Sequence, residues 1–309
     1  DPPPPFPRIF YKDKEDRLAN SHSAEGVLLF SSYLQVLLSR GYHLTRVYRI
    51  WEFQKGRPFA DFVDRAVAER QKNTPAAATW KLLVNALYGG FIMDKAKRQT
   101  MRHVKTDLLR SACVWDPSFI DLHHPDGSES TWIFKLKQST VMDTPTHIGK
   151  AVLDLAKARM VAFYHDVIQP AGGVMVSMDT DSFTFHLDPT AHMVDLVPPD
   201  MRDLWFDNPD DPETCGPKVR GTPGLFHLEA KGDTARAVGP KRVCVTCCDK
   251  VVKVSHAGVK RTALPANPMP LYDAMCRGES VSVTFPERRE VNGLYVIRDR
   301  CVTMSSRVK

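Results

Sequence analysis

The order of apolar and polar positions marks out a series of elements. Gly26 to Arg40 reads as a strand followed by a helix that ends at Gly41, and Val47 to Phe53 as a short aromatic strand. Phe59, Phe62, Val63 and Ala66 recur at helical spacing and predict an amphipathic helix from Phe59 to Arg70. Thr74-Pro75 breaks that pattern and opens a second helix, Ala76 to Tyr88, which Gly89-Gly90 is expected to stop. Ile148 to Ile168 is a long helical stretch with Val152, Leu155, Met160 and Phe163 as its apolar face, closed by Gly172-Gly173. In Val174 to Leu187, Val174, Val176 and Met178 alternate, Asp179-Thr180-Asp181-Ser182 intervenes, and Phe183, Phe185 and Leu187 alternate again. That pattern predicts a β-hairpin with two carboxylates at its tip. Val243 to Val254 reads as strand, and Ser280 to Phe285 and Tyr295 to Ile297 are strand-like. The first 25 residues, Pro-rich and then charged, read as an extended entry segment, and residues 188–222, rich in Pro and Asp, as loop.

A chain of 309 residues suggests about two domains and can bury a core without staples. With 25% charged and 43% hydrophobic residues, a wholly disordered chain is excluded. No stretch approaches the roughly 18 uninterrupted apolar residues of a membrane span. The start, Asp1 and four prolines, is no secretory signal, and the missing initial Met suggests a chain cut from something longer. The net charge of +6 is unevenly placed. Residues 241–309 hold 13 Lys and Arg against 6 Asp and Glu, a net +7, which leaves residues 1–240 at −1. Such a basic C-terminal third suits either a polyanionic partner, nucleic acid being the commonest, or a solvated surface. A second basic stretch holds Lys95, Lys97, Arg98, Arg102, Lys105 and Arg110 against Asp107.

The seven cysteines are odd in number and irregular in spacing, which points to a reducing compartment. Cys244, Cys247 and Cys248 form a C-x-x-C-C cluster that could be half a zinc site, with His256 the nearest further ligand. The stretch reads as strand, however, and cysteines there are more often simply buried.

Two constellations carry chemistry. Asp179 and Asp181 at a strand–turn–strand tip suit hard divalent cations, and two such ions about 4 Å apart serve phosphoryl transfer. Asp-Thr-Asp-Ser is also good turn chemistry. Lys81, Asn85 and Tyr88 fall at i, i+4 and i+7, so they share one helix face that could meet a triphosphate, a sugar and a base. An ordinary amphipathic helix would show the same spacing.

Taken together, Lys81-Leu-Leu-Val-Asn85-Ala-Leu-Tyr88-Gly89 and Met178-Asp179-Thr180-Asp181-Ser182 resemble the family B DNA polymerases, most closely the protein-primed branch of viruses and transposable elements. The first resembles the fingers motif K-x-x-x-N-S-x-Y-G and the second the palm metal motif D-T-D-S. Ile148 to Lys157 resembles the long palm helix, Gly224 to Glu229 the G-x-F-x-x-E segment, and Lys253 to Lys260 the stretch entering the thumb. The resemblance implies that Lys81 contacts the incoming triphosphate, with Arg70 or Lys72 assisting. It implies that Asn85 and Tyr88 border the nascent base pair and sugar, and that Asp181 ligates Mg2+ with Asp179 beside it. Lys241 falls in the place of the K-x-Y lysine that grips the primer, and Lys260 at the thumb entry. Lys95, Lys97, Arg98, Arg102 and Lys105 fall in the place of an insertion that wraps template DNA. The implied partners are primer-template DNA, dNTPs and a terminal-protein primer, with no membrane. The resemblance leaves nucleus, cytoplasm and organelle as the implied compartments.

Three departures stand out. Ala86 replaces the fingers serine, and Lys241-Arg242-Val243 lacks the K-x-Y tyrosine. The D-x-x-S-L-Y-P motif, which supplies the other metal-binding Asp, is absent from the sequence. The expectation is a C-terminal polymerase portion that is inactive alone, the alternative being a decayed DNA-binding remnant. The expected fold is α+β, an antiparallel palm sheet with a two-helix fingers element and a small thumb. The expected divisions are 1–50 leading from palm into fingers, 51–90 fingers, 91–147 basic insertion, 148–258 palm and 259–309 thumb.

Overall fold

The organising element is a long helix whose two ends serve different neighbours. The structure, a computed structural model, describes residues 9–12, 18–72, 74–95, 99–123, 131–136, 141, 143–212, 222–239, 241–291 and 294–306. In chain order it forms a hairpin of β1 (Ile9–Lys12) and β2 (Leu18–Ser21), then α1 (Ser31–Ser39), α2 (Ala60–Gln71) and α3 (Ala77–Phe91). Next come β3 (Gln99–Val104), α4 (Asp107–Val114), β4 (Phe119–His123), β5 (Thr131–Leu136) and the long helix α5 (Thr146–Phe163). The hairpin β6 (Val174–Asp179) and β7 (Ser182–His186) follows, then a short α6 (Arg202–Trp205). The C-terminal part holds β8 (Thr234–Gly239), β9 (Arg242–Cys247), β10 (Lys250–His256), α7 (Met269–Cys276), β11 (Val281–Val291) and β12 (Leu294–Met304). All the strand pairs are antiparallel, in small sheets ordered β1-β2, β3-β5-β4, β6-β7, β8-β9-β10 and β11-β12. Mixed helix and antiparallel strand is therefore what the chain forms.

Of the residues expected on the apolar face of α5, Met160 and Phe163 are buried but Val152 and Leu155 are exposed, and Ala158 and Val161 take part in the packing instead. Ala158 and Val161 pack with Tyr33 and Leu37 of α1 and with Ile9. On the same helix the fully buried Asp154 accepts from the Phe30 amide at 2.8 Å, which satisfies a free N–H at the start of α1. Lys150 (2.6 Å) and Lys157 (3.4 Å) compensate its charge, as a buried carboxylate requires. At its C-terminal end, α5 widens into a π-turn, Tyr164–Ile168, closed by Gln169 N–H to Tyr164 O at 2.8 Å. Here Phe163, Tyr164, Val167 and Ile168 form a core with Trp205 and Phe206, against which Met175, Phe183 and Phe185 of the hairpin lie.

Several expectations change in the structure. Val47 to Phe53 is not a strand: residues 42–57 have no regular structure, and Ile50 is 80% exposed. Aromatic and β-branched residues favour strands, but a strand needs a ladder partner, and none of the described residues pairs with this stretch. Residues 27–30 are likewise not strand. Gly89-Gly90 does not stop α3, which continues to Phe91. Tertiary contact overrides a cost of roughly 1 kcal/mol per glycine. Phe91 stacks obliquely on Phe59 at 5.0 Å, and the end of α3 abuts α5 so closely that a Cβ on Gly149 would lie 2.3 Å from Ile92 Cγ2. The expected strand Val243 to Val254 is two strands, β9 and β10, joined at Cys248-Asp249. Both turn residues are left-handed (φ 49° and 60°), the signature of a two-residue hairpin turn. The two C-terminal strands are longer than expected, and α7 is an additional helix packed between them and the β8–β9–β10 sheet through Tyr272 and Met275.

Candidate functional site

The tip of β6–β7 is built to hold carboxylates outward. Its base is fixed, with Phe183 lying 6.4 Å from Phe163 and 6.2 Å from Tyr164. Asp179 pairs with Ser182, leaving Thr180 and Asp181 as the turn. Asp181 N–H donates to Asp179 O at 2.6 Å across Thr180, whose φ of 53° is left-handed. That is a tight three-residue turn on a β-branched residue, a strained arrangement. Asp179 Oδ1 accepts from Thr180 Oγ1 at 3.1 Å and faces Lys241 Nζ at 3.4 Å. Lys241 itself is left-handed (φ 57°) in the β8–β9 connection, and β6 lies against β8. Asp181 is exposed, and among the described residues no ion pair or side-chain hydrogen bond reaches its carboxylate. A partly exposed pair of hard oxygen donors with one nearby cation fits a divalent ion of the magnesium type.

Beside Asp179 and Lys241 opens a cleft of about 360 Å³ lined further by Ser255, His256, Val259 and Arg261. His256 is buried, donates from Nδ1 to Tyr272 Oη at 3.2 Å, and Tyr272 donates in turn to Ser255 O at 2.6 Å. Burial, with a smaller effect from the Arg242 charge, pushes the His256 pKa down to about 4. Sequence reading did not single out this pair; a histidine with a strand-alternating apolar run before it was the available signal. Lys260 crosses to the last hairpin, donating to Pro286 O at 3.2 Å above the Phe285 ring.

The Lys81 face lies on α3, the partner of α2 in an antiparallel helix pair held by Phe62–Trp80 (6.4 Å) and by Arg65 over the Trp80 ring. Lys81 and Asn85 are exposed and Tyr88 is half-buried. Lys81 is electrostatically coupled to Glu229. The Glu229 carboxyl is held below its usual range mainly by a hydrogen bond from Lys253, with smaller contributions from that lysine's charge, His227 and Lys81. The Lys81 charge therefore acts on the Gly224–Glu229 segment across space. Arg70 lies at the end of α2, and Lys72 pairs with Glu69 at 2.6 Å.

In the 91–147 stretch, β3, β4, β5 and α4 share a small core of Val104, Cys113 and Ile133. Lys95 pairs with Asp143 at the two ends of this unit, holding that carboxyl below its usual range through the hydrogen bond. Arg102 and Lys105 are exposed. Lys97 and Arg98 lie outside the described residues.

The family described as DNA polymerase type B, organellar and viral, matches residues 1–168. That is more than half of the chain. The protein belongs to the organellar and viral type B DNA polymerases. No curated protein and no solved structure matches it. The matched residues include Lys81, Asn85 and Tyr88 and end at Ile168, the last residue of the π-turn, ahead of the Asp179/Asp181 hairpin. Polymerases of this family act on a DNA template with dNTPs and generally use divalent metals. Among the described residues no helix is long and apolar enough to cross a membrane.

Proposed function

We propose that this chain is the C-terminal part of a template-directed DNA polymerase that adds deoxynucleotides to a primer 3′ end, with α2 and α3 as fingers, α5 and β6 to β10 as palm, and the last hairpin as thumb. The observation that carries it is the β6–β7 tip, which presents Asp179 and Asp181 from a base locked onto α5 in a member of this family. The reaction is attack of the primer 3′ oxygen on the α-phosphate of a dNTP, with release of pyrophosphate. Most of the protein's part is positioning and charge stabilisation. Lys81 neutralises the triphosphate, Asn85 and Tyr88 border the base and sugar, and Arg70 and Lys72 add positive charge at the end of α2. Lys241 holds the primer terminus beside Asp179. Magnesium, when held by Asp181 with Asp179 beside it, supplies compensation for charge developing on the phosphate. The exposed Arg102 and Lys105 contact template backbone.

With no D-x-x-S-L-Y-P carboxylate in its sequence, the 309-residue chain alone does not extend a primer above background. Joined to its upstream coding sequence, it does. In that longer protein, Lys81→Ala raises the dNTP KM by about tenfold or more, as loss of a charged contact of roughly 1.5–3 kcal/mol would. Primer-template affinity stays within about twofold, read by single-nucleotide kinetics and filter binding. A folded longer protein that carries the upstream motif, binds primer-template and extends nothing would favour the DNA-binding remnant instead.

A further inference from the structure

We propose that Asp233, Cys247 and Cys248 form a binding site for a soft, thiophilic divalent cation such as Zn2+, separate from the polymerase centre. Cys247 ends β9, Cys248 opens the β9–β10 turn, and Asp233 immediately precedes β8. One ligand atom from each lies within 4.8 Å of the others. Donors around one tetrahedral zinc with bonds near 2.0–2.3 Å lie about 3.5–4 Å apart, so small side-chain rotations close the set.

Asp233 is placed from two directions. Its N–H donates to Thr246 O at 2.9 Å, and its Oδ2 accepts from the Cys248 N–H at 2.7 Å. The left-handed Cys248 backbone sets the second thiol beside the first. Gly232 makes the approach possible, because a Cβ there would lie 2.3 Å from Thr246 O. Cys247 and Cys248 are exposed, so metal can enter and water or an outside ligand can complete the coordination. Two thiols and one carboxylate favour zinc over magnesium or calcium. Cys244, which the sequence groups with them, is not a ligand: it is fully buried in the apolar cluster of Val238, Tyr272 and Met275. His256 is likewise committed elsewhere, to Tyr272.

Binding replaces two thiol protons with one metal ion, so Zn2+ enters and two H+ leave. The ion would tie the start of β8 to the β9–β10 turn, at the opposite end of β9 from Lys241.

The test uses the full chain, reduced and metal-free, titrated with Co2+ and then Zn2+. The expected result is one equivalent bound, a thiolate-to-cobalt charge-transfer band that Zn2+ abolishes, and proton release on binding. Cys247→Ser and Cys248→Ser should each weaken binding by at least about tenfold and reduce the band, and Asp233→Asn should weaken it by a similar factor. Cys244→Ser should leave affinity and band unchanged, with circular dichroism confirming that each variant is folded. The absence of a charge-transfer band in the reduced wild-type chain would overturn the site. So would a band that survives in the folded Cys247→Ser/Cys248→Ser double variant.

Discussion

At the scale of single residues, His256 shows how burial dictates a measurable property. Its pKa falls from the ordinary 6.5 to about 4, so the folded state holds it neutral while the unfolded chain takes up a proton. The unfolded state thus binds more protons between those values. The stability due to this group is fully present above about pH 6.5 and is lost as pH falls toward 4, by on the order of 1–3 kcal/mol. Denaturant melts of the chain from pH 7 to pH 4.5 should show this loss, and His256→Gln should flatten the profile in that window. An unchanged slope would remove the neutral-histidine account. Asp181 shows the opposite condition, an exposed carboxylate at a turn. That is why it was legible in sequence: polar residues interrupting two alternating apolar runs have no core to serve. The His256–Tyr272 pair was not legible, because nothing local to His256 announces a tyrosine on α7.

At the scale of elements, the pattern of apolar residues located α2, α5 and the β6–β7 hairpin to within a few residues, although it misplaced part of their packing faces, since Val152 and Leu155 of α5 and Val174 of β6 are exposed. It failed where distant contacts decide. The α3 helix runs through two glycines because Phe91 and Ile92 have partners on α2 and α5. The β9–β10 turn has no glycine, and Asp249 tolerates the left-handed backbone in its place. Asn292-Gly293, between the paired Val291 and Leu294, is a strong hairpin signal that predicts longer strands than the apolar runs alone. The α3–α5 junction gives an element-level prediction. Gly149→Ala forces Ile92 and Phe91 aside and should destabilise the chain by about 1–3 kcal/mol, read from denaturant midpoints. Because Gly149 sits where the Lys81-bearing helix meets α5, the same variant in the longer protein should raise the dNTP KM more than it changes primer-template affinity.

For the whole molecule, charge is the coarse signal that sequence gives most directly. Residues 241–309 carry the net positive excess, and exposed cations such as Lys241 and Lys260 come from separate elements of that region. If they meet DNA backbone, affinity for primer-template should fall steeply as salt rises from 50 to 200 mM. Charge-neutralising substitutions at Arg102 and Lys105 should each lower the slope of log affinity against log salt by about 1 while barely altering sequence preference. A flat salt response would exclude backbone contacts as the basis of binding. The proposed palm, fingers and thumb assignment rests on the family motifs and not on periodicity, because how separate small sheets come together depends on contacts that no local pattern encodes.

The central claim is that the β6–β7 tip is the catalytic end of a polymerase. Its most direct test is primer extension, with magnesium and dNTPs, by this chain joined to its upstream coding sequence, compared with the same protein carrying Asp181→Ala. The account predicts extension by the first and a loss of at least about a hundredfold in the second, with folding and primer-template binding retained. Extension at an unchanged rate by the Asp181→Ala protein would contradict it.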